Sequence, residues 1–188
     1  DKVLFDNTAK QYTVSLNSDL EADTLVVDNP LSTTYTFNGT GKLTGATTLV
    51  KRGKGTLAVN TDNDYTGGTR ISGGTIKVSS LSNANQATGN LGAVSTQNSK
   101  FVIENGAILQ TSAAIQMGSP IKFETSDGGV INNSADFIMN RSFYGTKLIK
   151  RGNGWLKLNA ANGNLDTLVI EAGTVQGVSC TVPARNVV

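Results

Sequence analysis

Along most of the chain, apolar side chains alternate singly with polar ones, and helical periodicity is almost absent. Val3 and Phe5, Tyr12, Val14 and Leu16, Tyr35 and Phe37, Leu57 and Val59, and Ile76 and Val78 each share one face of a short run. β-Branched residues dominate these runs, and turn pairs such as Asn29-Pro30, Asn38-Gly39 and Asn105-Gly106 end them. The pattern predicts strands over residues 24–29, 101–103, 108–109, 121–123, 130–132 and 137–139 as well, with turns every eight to twelve residues or so. Residues 81–99, LSNANQATGNLGAVSTQNS, are small and polar and predict a long loop or a loosely formed rung. The fold class is all-β.

A sandwich, a barrel and a solenoid can all use such a pattern, and the Asn-Gly and Asp-Gly pairs suit hairpins. An internal repeat favours the solenoid. Leu49, Lys51, Arg52, Gly53, Gly55, Leu57, Asn60, Ile71, Gly74 and Thr75 return without a gap as Leu148, Lys150, Arg151, Gly152, Gly154, Leu156, Asn159, Ile170, Gly173 and Thr174. The copies, 49–80 and 148–179, are 99 positions apart, which suits about four coils of roughly 20–25 residues. Residues 1–188 then form a single solenoid domain of roughly seven to nine coils.

Composition narrows the picture. Charged residues are 16 % of the chain, below the ~25 % of ordinary globular proteins, so Asn, Thr, Ser, Gln and Gly must keep the surface polar. The net charge of +2 is scattered and forms no basic face, which argues against a nucleic-acid partner. The pairs Lys51-Arg52 and Lys150-Arg151 read as solvated rung edges. Cys180 is the sole cysteine, so an internal disulfide and a cysteine metal site are excluded. No apolar run reaches the ~18 residues of a membrane helix. The chain begins mid-pattern and stops without an evident cap, as a piece of a longer exported polypeptide would. Bare coil ends expose strand edges, so a cap is expected within residues 1–20 or 176–188, or else end-to-end self-association.

The phrase Leu49-x-Lys51-x-Gly53-x-Gly55-x-Leu57, followed by Asn63-x-Tyr65-x-Gly67-Gly68-Thr69 and Gly73-Gly74-Thr75-Ile76, resembles the autotransporter-associated (passenger-associated) β-strand repeat. The second copy keeps Leu148-x-Lys150-x-Gly152-x-Gly154-x-Leu156 and Ala172-Gly173-Thr174. It departs at Asn164-Leu165-Asp166-Thr167, where a differently shaped turn is expected. The resemblance implies a right-handed single-stranded parallel β-helix in a secreted or cell-surface bacterial protein. It also implies a building unit of adhesin passengers that is not itself catalytic; neighbouring domains of the parent chain are the expected partners, and no cofactor is expected.

Candidate chemistry is sparse. The chain has no histidine, which removes serine–histidine and cysteine–histidine nucleophile systems. Paired carboxylates remain, Asp62 with Asp64 or Glu124 with Asp127; catalysis would need them about 5–10 Å apart across a substrate. Asp62 and Asp64 are also the calcium candidates, but the segment lacks the glycine and distal glutamate of a recognised calcium loop and reads instead as an Asx-rich turn. With Leu156 and Leu158 inward, alternation puts Trp155, Lys157 and Asn159 outward. An aromatic face beside donors suits a sugar ring, and Tyr144 is a further member if it faces the same side. A neighbouring domain or residues 81–99 could instead cover Trp155. The leading functional reading is a rigid spacer or adhesion stalk. A carbohydrate-binding module around Trp155 is the alternative, and a fragment of a polysaccharide-active enzyme comes third.

Overall fold

The computed structural model describes residues 1–82, 87–93, 100–159 and 163–177. Cys180, most of the C-terminal stretch considered for a cap and about half of residues 81–99 lie outside them. The described chain contains no helix. Its strands begin with β1 (Lys2–Phe5), β2 (Thr13–Ser15), β3 (Thr24–Asp28), β4 (Thr34–Asn38), β5 (Thr48–Arg52) and β6 (Thr56–Val59). They continue with β7 (Gly68–Ile71), β8 (Thr75–Val78), β9 (Phe101–Glu104), β10 (Ala107–Thr111), β11 (Ile115–Met117) and β12 (Ile121–Glu124). The last are β13 (Gly129–Asn133), β14 (Phe137–Met139), β15 (Phe143–Arg151), β16 (Trp155–Leu158), β17 (Asn164–Ile170) and β18 (Thr174–Gly177).

Each strand pairs in parallel with the strand one turn of chain away, and the result is a parallel β-solenoid of about seven turns. One face stacks β1-β3-β5-β7-β9-β12 and the first part of β15, and a second stacks β2-β4-β6-β8-β10-β13 and the rest of β15. A third face, β11-β14-β16-β18, starts only in the coil of β9. Below it, that side holds isolated contacts such as Leu20 with Leu43. Paired residues on the first face lie 20–24 positions apart, as in Leu25–Leu49, Leu49–Thr69 and Lys122–Tyr144. The step from Thr69 to Phe101 is 32 positions.

Alternation becomes ladders. Phe5, Val27, Lys51, Ile71, Ile103 and Phe123 stack inward along the first face. Tyr35, Leu57, Ile76, Leu109, Ile131, Lys150 and Ile170 do so along the second. Most of these side chains are fully buried, so each coil adds apolar area to one continuous core. Two of the rungs are lysines. The solvated-edge expectation therefore fails for Lys51 and Lys150, both fully buried, and holds for their neighbours Arg52 and Arg151, which point outward.

Residues 1–20 form a coil, with β1 paired only to β3 and β2 only to β4. Phe5 and Tyr12 meet Tyr35 edge to face at this end, with centroids 5.6 and 5.1 Å apart. A further expectation is corrected at the second repeat copy. Residues 164–167 make no turn; they belong to β17, which runs from the first face onto the second without a break, as β15 does. The second repeat copy sits one face further round, so its residues meet a different corner.

Gly145 lets β15 enter the coil, with φ of +125° and an added Cβ only 2.0 Å from the Phe123 carbonyl oxygen. Gly106, also at positive φ (+67°), has nothing within 4 Å of such a Cβ. Gly145→Ala is expected to destabilise the protein by about 3 kcal/mol through strain and a backbone clash. Gly106→Ala should cost about 1 kcal/mol, from backbone conformation alone. Urea unfolding midpoints of the two variants measure the difference.

Candidate functional site

The residues that define the repeat converge on the two buried lysines. Strand alternation puts Lys51 on the same side as Leu49 and Lys150 on the same side as Leu148, so both ammonium groups point into the core. A buried ammonium needs acceptors for its three protons. Lys51 Nζ donates to the carbonyls of Arg52, Gly53 (3.2 Å) and Gly73 (3.4 Å). Lys150 Nζ donates to those of Arg151 (2.7 Å), Gly152 (2.6 Å) and Ala172 (3.2 Å). Two acceptors come from the lysine's own corner and the third from the corner of the following coil.

The glycines are what turn these carbonyls inward. Gly53 and Gly152 adopt φ of +68° and +76°, a left-handed conformation that glycine enters at little cost. In the next coil a Cβ on Gly74 would lie 2.9 Å from Lys51 Nζ and 2.2 Å from the Gly55 oxygen. On Gly173 it would lie 2.8 Å from Lys150 Nζ and 2.4 Å from the Gly152 oxygen. Lysine, corner glycines and the glycine one coil later form one carbonyl cage, built twice. Burial pushes the Lys51 ammonium down to about 8, with Asp28 opposing the shift, and burial lowers Lys150 as well.

An asparagine braces each cage from the preceding coil. Asn29 Nδ2 donates to the carbonyls of Thr33 (2.8 Å) and Thr56 (3.0 Å), and Asn133 Nδ2 to those of Ala135 (2.6 Å) and Trp155 (2.9 Å). Their own carbonyls accept from Gly55 and Gly154, at 2.9 and 3.0 Å. Sequence reasoning missed both residues. Asn29 lies 22 positions before Lys51 and Asn133 only 17 before Lys150, so no common spacing marks them.

Trp155 opens β16 on the third face, 46 % exposed, while Leu156 and Leu158 are fully buried. Lys157 places its ammonium 6.0 Å from the Trp155 ring centroid and 2.6 Å from Asp136 Oδ2. Asn159 Nδ2 donates to Asn140 Oδ1 (3.2 Å), and Asn140 Nδ2 reaches Gln116 Oε1 at 3.5 Å, so amides follow one another up this face. Tyr144 is not brought to it: it lies in β15 on the first face, between Lys122 and Asn164.

The carboxylates are engaged elsewhere. Asp64 Oδ2 lies 2.6 Å from Lys42 Nζ, and the hydrogen bonds from Lys42 and Thr44 hold its carboxyl below the usual range. Asp62 accepts from Thr88 Oγ1 at 2.7 Å. Among the described residues no cluster of three or more acidic, histidine or cysteine side chains could hold a metal. Glu124 meets Glu104, its cross-strand neighbour, while Asp127 sits in the exposed turn after β12. Near the first coils, an open groove of about 470 Å³ is lined by residues including Leu4, Leu31, Asp6, Asp28 and Lys54.

Comparison with known proteins places these features. Residues 49–78 match the family model described as the passenger-associated-transport-repeat. The matched segment holds Lys51 and all three of its acceptors. The chain is 32 % identical over 102 residues to a protein of Brucella suis biovar 1 (strain 1330) described as "Adhesin BmaC autotransporter". That match covers 52 % of this chain and 3 % of the adhesin, so the chain corresponds to a small part of that relative. No solved structure matches. The chain is a parallel β-solenoid that carries an autotransporter passenger repeat and is similar to an adhesin.

Lys51→Met keeps the side chain's length and leaves three buried carbonyls without a donor, so it should destabilise the protein by roughly 1–3 kcal/mol at pH 7. The variant should also lose a pH dependence. Lys51 titrates at about 8 when folded, below the ordinary 10.5, so over that window the unfolded chain binds more protons and stability rises with pH. Urea titrations of both proteins at pH 7, 8.5 and 10 measure the effect; equal stabilities throughout would mean that the cage holds nothing.

Proposed function

We propose that this chain is a rigid segment of the stalk of a bacterial surface adhesin, holding other domains of its parent chain away from the cell. The observation that carries the reading is the unbroken parallel ladder of the first two faces, tied by a lysine cage in each half. At ~4.8 Å per coil, seven turns give a rod of roughly 34 Å, and longer arrays extend in proportion. Similarity to an autotransporter adhesin supports a secreted or cell-surface setting in bacteria and a non-catalytic role.

One observation favours a second reading, a carbohydrate-binding face. Trp155 is the most exposed aromatic side chain among the buried-core ladders' neighbours, and it stands beside Lys157 and the Gln116–Asn140–Asn159 amides. An aromatic plane with amide donors and acceptors suits a neutral pyranose.

The same experiment separates the two. The purified chain and its Trp155→Ala variant are applied to a glycan array and to host cells. The stalk reading expects no saturable binding by either protein. Saturable binding that Trp155→Ala reduces at least about tenfold would replace it with the recognition reading, that being the loss typical of an aromatic anchor.

A further inference from the structure

A second kind of contact ties consecutive coils together. Arg70 in β7 donates Nε to Glu104 Oε1 (2.8 Å) and Nη2 to Glu104 Oε2 (2.5 Å) in β9. The same Nη2 reaches Glu124 Oε2 (2.7 Å) in β12. Ser72 Oγ adds a bond to Glu104 Oε1 (2.6 Å), and Lys122 Nζ pairs with Glu124 Oε1. One guanidinium therefore spans three coils on the outer surface of the first face.

The position of this cluster is informative. The first cage and its asparagine join the coils of β3, β5 and β7. The second joins those of β13, β15 and β17. The Arg70 cluster joins β7, β9 and β12, filling the interval between the two and sharing a coil with each. It also crosses the irregular step of the solenoid. Between β7 and β9 paired positions lie 32 apart instead of 20–24, and the third-face sheet has not yet begun.

We propose that the Arg70–Glu104–Glu124 cluster is an acid-releasable joint between two halves of the solenoid, each locked by its own lysine cage. The difference lies in what the two devices are made of. Cage acceptors are backbone carbonyls, which keep their character in acid, and the lysines stay charged there. The joint depends instead on two carboxylates, Glu104 buried and Glu124 with a quarter of its side-chain surface exposed. The groups facing these carboxylates are Arg70 and Ser72 from β7 and the loop after it, Lys122 from β12 and Tyr144 from β15. Bonds from Lys122 and then Arg70 hold the Glu124 carboxyl below its ordinary 4.5. Its contribution is therefore complete above 4.5 and lost as the pH falls through the lower folded value.

Hydrogen exchange read by mass spectrometry, corrected for intrinsic rates, tests this on the whole chain. Between pH 7 and about pH 3, exchange in residues 68–71, 101–104 and 121–124 should quicken about tenfold or more, while residues 48–59 and 148–158 keep their protection. Arg70→Gln should show the acid pattern already at pH 7 and respond less to acid. Glu124→Gln, which preserves side-chain size, should give a weaker form of the same change. Protection lost evenly along the chain in acid, or an Arg70→Gln protein with an unaltered middle, would overturn the proposal.

Discussion

A charged ammonium inside a stack of aliphatic side chains is the constraint from which the repeat's composition follows. Taking the charge out of water is unfavourable unless every proton finds an acceptor. In a solenoid the available acceptors are the carbonyls at the corners. Those carbonyls face inward only where the backbone takes left-handed angles and no Cβ intrudes, as at Gly53, Gly74, Gly152 and Gly173. The third acceptor belongs to the next coil, so satisfying the charge also fixes how one coil sits on another. The phrase Leu-x-Lys-x-Gly-x-Gly is a description of that geometry in residues.

Much of this was readable in advance. The parity of Leu156 and Leu158 placed Trp155, Lys157 and Asn159 outward, and the alternating runs located nearly every strand. The same parity put Lys51 with Leu49, yet a Lys-Arg pair reads as surface, and residue type prevailed over position. That was the wrong priority: in a strand, direction is set by the backbone and chemistry must adapt to it. Asn29 and Asn133 left no trace, because the chain between asparagine and lysine differs in length at the two corners.

The Arg70, Glu104 and Glu124 contacts were hidden for another reason. Residues 34 and 54 positions apart become neighbours only once the 32-residue step is known. Sequence periodicity reports the regular coils and is blind to the irregular one, and that is where the charged cluster lies. Tyr144 is close to Trp155 along the chain but not in space, because β15 begins on the first face and β16 lies on the third.

The 99-residue interval carries Lys51 on the first face to Lys150 on the second, four turns and one face on. Stacked coils of similar length are open to assembling out of step, each strand settling one neighbour too early or too late. Because the two lysines occupy different sides of the core, no whole-turn displacement brings either beneath the other's glycine corner. A misaligned assembly would leave a buried ammonium without its acceptor from the next coil, so the same pair of residues that holds the native stack together also penalises its nearest counterfeits.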